Sequence, residues 1–128
     1  MDPLTCLAVA IFFEARGEPV DGQKAVTEVI LNRVEDKRYP DSVCEVVFEP
    51  YAFSFTHDGK PDSLPEKDPL GEAQTALTVA QEALDGVTLG ITSTHYHTVS
   101  VDPSWNKHFD LDGTIGDHIF YTNNTPYK

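Results

Sequence analysis

Phe12-Phe13-Glu14-Ala15-Arg16-Gly17-Glu18-Pro19 closes an apolar run, Leu7-Ala8-Val9-Ala10-Ile11-Phe12-Phe13, with a carboxylate. Gly17 and Pro19 then stop the helix that the run implies. A carboxylate in the last turn of a buried helix meets the partial negative charge of the helix C-terminus. Its apolar neighbours also disfavour ionisation. Both effects raise the pKa, which a general acid working near neutral pH requires. On local pattern alone, Glu14 as a solvated last-turn residue paired with Arg16 or Arg33 is the commoner case, because ion pairs outnumber catalytic acids.

Outward from that stretch, the chain reads as helices first. Asp2 is a candidate N-cap and Pro3 suits the first helical position. Leu4, Leu7, Ala8, Ile11 and Phe12 recur at helical spacing, so the first helix is a core helix. After the Gly17–Val20 turn, Asp21 can cap a second helix. Ala25, Val26, Val29, Ile30 and Val34 form its apolar face to about Lys37. Asn32 and Arg33 flank that face, and Asn32 reads as a structural amide or as a partner of the Glu14 loop. Tyr39-Pro40 breaks the helix. Ser42-Val43-Cys44-Glu45 fits a capping box for a short third helix to about Phe48.

An aromatic, irregular stretch follows from Glu49 to Gly59, then a loop from Lys60 to Pro69 that contains three prolines. Loops of that size serve as binding elements or lids. A fourth helix is expected from Asp68-Pro69, with Leu70, Ala73, Ala76, Leu77, Ala80 and Leu84 as its face and Asp85-Gly86 as its end. Its small residues invite close packing on the first or second helix. The last third changes character. Thr92–Val99 and Thr114–Tyr121 read as strands, with Asp110-Leu111-Asp112-Gly113 as a turn between them. The fold class expected is therefore α+β, mostly helical, with a small antiparallel β element, in one domain over residues 1–128.

Composition narrows the partners. A formal charge of −12 argues against nucleic acid, whose phosphates would be repelled, and against an anionic membrane surface. A carbohydrate, read by hydrogen bonds and ring stacking, remains compatible. No apolar run approaches the roughly 20 residues of a membrane span, so no membrane insertion is expected. The N-terminus shows no signal-peptide pattern. Two cysteines, Cys6 and Cys44, are too few for a disulfide scaffold and form no zinc knuckle. Two buried thiols and a single disulfide both remain open.

Several blocks together resemble the SleB-type cell wall hydrolases. They are Phe13-Glu14-Ala15-Arg16-Gly17-Glu18, Val29-Ile30-Leu31-Asn32-Arg33-Val34, Tyr39-Pro40, Phe53-Ser54, Thr94-His95-Tyr96, Pro103 with Trp105, and Ile115-Gly116 with His118-Ile119-Phe120-Tyr121. That family includes spore-cortex-lytic enzymes and many phage lysins. The resemblance runs through nearly the whole chain, in the family's order. It implies a lysozyme-like, lytic-transglycosylase-like fold and a peptidoglycan substrate, with no cofactor. The bond would be the β-1,4 link between N-acetylmuramic acid and N-acetylglucosamine. Glu14 matches the family's catalytic acid.

The resemblance implies softer roles for other residues. Phe53 and Ser54 would line the cleft, or Phe53 would be a core residue under the loop. His95 and Tyr96 would touch sugar or orient Glu14. His118 and Tyr121 would complete the wall, and Trp105 would stack on a sugar face. Glu18 and Asp58 are candidates for a second carboxylate, which would allow ordinary hydrolysis. Tyr51 and His57 occupy positions where many relatives carry a further cysteine pair. A monomer acting on the wall, in the periplasm or outside the cell, is expected. A lysin released from a phage-infected host would fit the missing signal peptide.

Two other classes compete. A zinc-dependent N-acetylmuramoyl-L-alanine amidase could draw on His95, His97, His108 and His118 with Asp102 or Asp110, though no HExxH pattern supports it. A non-catalytic glycan-binding protein would keep the aromatics and not need Glu14. The Asp110–Gly113 segment resembles the start of a calcium loop but lacks the remaining ligands, so no metal site is expected.

Overall fold

The structure, a computed structural model, describes residues 1–50, 52–53 and 63–125. Ser54, Tyr51, His57 and Asp58 lie outside the described residues. Helix α1 spans Pro3–Ala15, and the Asp2 carboxylate caps it by accepting the Thr5 amide at 2.7 Å. Its residues from Cys6 to Phe12 are all buried. A helix apolar on every side must be surrounded. Helices α2 (Val20–Glu35), α3 (Val43–Val47) and α4 (Glu72–Leu84) pack around it.

Ala73, Ala76 and Ala80 form the small face by which α4 meets α1, while α4 also meets α2. The capping box on α3 is made: Ser42 accepts the Glu45 amide, and its hydroxyl donates to the Glu45 carboxylate at 2.7 Å. Cys6 on α1 and Cys44 on α3 are joined as a disulfide, with their Cα atoms 5.3 Å apart.

The helix boundaries differ from expectation in two places. Pro19, not Asp21, is the N-cap of α2, and Asp21 sits in its first turn. Helix α4 starts at Glu72, after Gly71 in a left-handed conformation (φ 70°). Asp68 still serves it, accepting the amides of Ala73 and Gln74 at 2.9 Å each. Leu70 therefore lies before the helix and is 80% exposed rather than on its packing face, and Leu84 is also exposed.

The β element has three strands, not two. Strands β1 (His95–Thr98), β2 (Asp110–Ile115) and β3 (His118–Thr122) form an antiparallel sheet in the order β1-β3-β2. Asp110–Gly113, read as a turn, lies within β2, which carries an irregularity between Leu111 and Gly113. The Asp112 carboxylate accepts the hydroxyls of Ser93 (2.6 Å) and Thr122 (2.7 Å), so it ties the strand to its neighbours. The reversal itself is at Gly116-Asp117, with Gly116 at φ 58°.

Candidate active site

Glu14 stands in the last turn of α1, half-buried, and accepts a hydrogen bond from the Tyr96 hydroxyl at 2.5 Å. Burial raises its pKa above the ordinary carboxylate value. The Tyr96 hydroxyl and the Arg33 charge pull it partly back. Tyr96 is itself pushed well above its ordinary value by burial and by the Glu14 charge, so it remains a donor. Its ring meets His118 edge-on at 5.0 Å and packs near Phe120 at 5.7 Å. A carboxyl that can hold a proton, fixed by one hydroxyl, is equipped for acid and then base work.

Arg33 is 8% exposed and points its guanidinium over the rings of Tyr39 (5.2 Å) and Phe53 (5.5 Å). Its Nε donates to the Thr94 carbonyl at 2.8 Å. Arg16, the other proposed partner of Glu14, lies over the Phe12 ring at 4.9 Å. A cavity of about 390 Å³ opens beside Tyr96, lined also by Arg33, Tyr39, Glu49, His95 and Trp105. A larger cleft of about 620 Å³ runs along Phe12, Phe13 and Arg16 with residues 63–70. The smaller one includes Tyr96, the partner of Glu14, and gathers a cation, an imidazole, an indole and two phenols.

His95 contacts Tyr39 Oη through Nε2 (3.3 Å) and Thr94 Oγ1 through Nδ1 (3.0 Å). Burial and the Arg33 and Arg38 charges lower its pKa to about 4, so it is neutral at physiological pH. Trp105, in a short 3-10 turn over Ser104–Lys107, packs on His95, His97, Phe109 and Tyr121 at 5.1–5.7 Å. Tyr121 shares a 2.9 Å hydrogen bond with His97 Nε2. Trp105 and Tyr121 thus belong to one aromatic cluster behind the cavity, with only Trp105 on its lining.

Phe53 is 3% exposed and belongs to the helical core, so it supports the cavity through Arg33 rather than lining it. Glu18 faces the sheet. It accepts the Asp117 amide at 2.8 Å and lies 3.3 Å from His118 Nδ1, near enough for an ion pair but not aligned as a hydrogen bond. Burial lowers the pKa of His118, and Glu18 partly offsets this. Glu18 therefore clamps the β2–β3 turn.

The amidase ligand set does not assemble. Among the described residues no group of three or more His, Cys, Asp or Glu side chains could hold a metal ion. Asp102 accepts from Asn106, and Asp110 accepts from Asn124. His108 is exposed.

Sequence reading missed Tyr39 and Glu49 as cavity residues, and it missed Glu28 altogether. Glu28 is buried and binds three backbone amides. A charged residue inside the α2 apolar face was its only local signal. Asn32 does have the structural role considered for it, donating to the carbonyls of Ile91 (3.0 Å) and Ser93 (2.9 Å).

A family model described as Cell Wall Hydrolase matches residues 17–121. The chain belongs to that family. Glu14 lies just N-terminal to the matched span. The spore cortex-lytic enzymes of Halalkalibacterium halodurans and Bacillus subtilis are 37% and 36% identical over 115 residues, 89% of this chain. The chain spans about a third of the length of those relatives. Two solved structures of family members share the fold. The catalytic domain of the germination-specific lytic transglycosylase SleB from Bacillus anthracis superposes with a TM-score of 0.79 at 31% identity, covering 94% of this chain and 93% of that one. The catalytic domain of the Bacillus cereus SleB protein gives 0.78 at 32% identity, covering 94% and 89%. No helix among the described residues is long and apolar enough to cross a membrane.

Proposed function

We propose that this chain degrades peptidoglycan as a lytic transglycosylase, with Glu14 as its single acid and base. The observation that carries the reading is the Glu14 carboxyl, kept prone to protonation by burial and held at 2.5 Å by Tyr96, itself a lining residue of the cavity. Family membership and the names of the relatives support the substrate.

Protonated Glu14 gives its proton to the glycosidic oxygen between N-acetylmuramic acid and N-acetylglucosamine. The C1–O bond breaks, its electron pair leaves with the N-acetylglucosamine hydroxyl, and positive charge develops on the muramyl ring. The muramyl 6-hydroxyl then attacks C1 and returns its proton to the Glu14 carboxylate. The product is a 1,6-anhydro sugar, and no water is consumed. An internal nucleophile already in place needs no second carboxylate. That agrees with Glu18 being engaged at the β2–β3 turn.

The chain acts on the wall as one catalytic unit, a reading supported by its near-complete overlap with two catalytic domains; a monomer is proposed with it. Its relatives here are bacterial spore enzymes, which lends no support to release by a phage. Mass spectra of digested peptidoglycan test the chemistry. Anhydromuropeptides are the expected product, and they should vanish with Glu14→Gln. Reducing ends would point to a lysozyme-type reaction, and freed stem peptides to an amidase.

A further inference from the structure

Helix α2 turns three polar side chains toward the segment that leads into β1. Glu28, 4% exposed, accepts the amides of Leu89 (2.7 Å), Gly90 (2.8 Å) and Ile91 (3.1 Å). Asn32 donates to the carbonyls of Ile91 and Ser93, and Arg33 donates to that of Thr94. Together they occupy main-chain groups of residues 89–94 that lie before the strand ladder begins. Three successive amides converge on one carboxylate where the chain curls into an anion-binding hollow. Gly90, at φ 81°, supplies the left-handed residue that such a hollow needs. Here the anion is internal.

That hold ends two residues before Tyr96. Side chains alternate along β1: His95 and His97 both reach Trp105, whereas Tyr96 turns to Glu14. A slip of one residue would send the Tyr96 ring to the Trp105 side and break its bond to Glu14.

We propose that Glu28 is a positioning residue for Glu14. By filling the amide hollow of Leu89, Gly90 and Ile91, it fixes the register that delivers the Tyr96 hydroxyl to the Glu14 carboxyl. The kinetic consequence rests on the reading of Glu14 as general acid; the coupling between the two carboxylates does not.

The test is an NMR titration of the Glu14 carboxyl in glutamate-labelled protein, assigned with Glu14→Gln, beside steady-state kinetics. Glu28→Gln exchanges one accepting oxygen for an NH₂ that cannot accept from the facing amides. The Tyr96 hydroxyl favours the ionised form of Glu14, so losing it moves the Glu14 midpoint upward. Glu28→Gln should show that upward shift, in the same direction as Tyr96→Phe, and the double variant should shift no further. kcat should fall about tenfold with KM within about twofold. Glu28→Asp keeps the charge and shortens its reach by one methylene. It should give a smaller shift of the same sign, and it carries the test alone if Glu28→Gln does not fold. An unmoved Glu14 midpoint in the folded Glu28 variants overturns the proposal, as does a shift that adds fully to that of Tyr96→Phe. Retained lysis in Glu14→Gln with the coupling intact would instead remove the glycosidase reading and leave this one standing.

Discussion

Removing one oxygen, in Tyr96→Phe, tests the centre of the site with little change to its packing. The ring contacts to His118 and Phe120 stay. What is lost is a 2.5 Å hydrogen bond to Glu14, at the short end for a hydroxyl donating to a carboxylate. Hydrogen bonds to charged groups contribute about 1.5–3 kcal/mol. A loss of about 2 kcal/mol at the transition state corresponds to about thirtyfold in kcat/KM. The pH profile supplies the sign. Burial raises the Glu14 pKa and the Tyr96 hydroxyl lowers it, so the variant must titrate higher than wild type. The acid is active when protonated, so the alkaline limb of kcat/KM should move to higher pH while the plateau drops. Turbidity loss of purified peptidoglycan, followed across pH, measures both. A plateau within twofold of wild type, or a limb that moves to lower pH, would refute the assignment of Tyr96 as the partner that orients Glu14.

Glu14→Gln should cost about 10³-fold or more in lysis, within the range for a general acid. A carboxyl whose folded pKa is raised contributes stability at acid pH that is lost as pH rises through the folded value. The melting temperature of Glu14→Gln relative to wild type should therefore increase from acid to neutral pH, and calorimetry would show an opposite trend if the group were a solvated ion pair. Gly116→Ala would place a Cβ 2.8 Å from Glu18 Oε1 and 3.1 Å from Pro19 Cδ at a φ of 58°. Denaturant unfolding should show a loss of about 2–3 kcal/mol, from left-handed strain plus overpacking. The Cys6–Cys44 disulfide closes a separation of 38 residues, for which chain entropy gives about 4 kcal/mol. The double alanine variant should melt roughly 15 °C lower, and a fall of only a few degrees would mean that the pair constrains little.

The helices were legible because their signals are local. Asp2 and Pro3 start α1, Ser42 and Glu45 cap α3, and apolar spacing near 3.6 marks the buried faces, all within a few residues of one another. The strands were half legible. Alternation located β1, but Thr114–Tyr121, read as one strand, runs across the Gly116-Asp117 reversal and joins the end of β2 to β3; the Asp-Leu-Asp-Gly run of β2 has turn composition and pairs only because β3 lies beside it.

Glu14 was singled out from the sequence because an acid after a greasy run is a local pattern with a direct electrostatic consequence. Its partner was offered only through the family resemblance, as His95 or Tyr96, and the fold chose Tyr96. Tyr96 is 82 residues away, and no local pattern specifies which phenol will face which carboxyl. The same holds for Glu28, whose three amides lie 61–63 residues downstream. A helix reports its own period and its own ends. Only packing decides that α1 presents an acid and that α2 grips residues 89–94 so that β1 answers it with a hydroxyl.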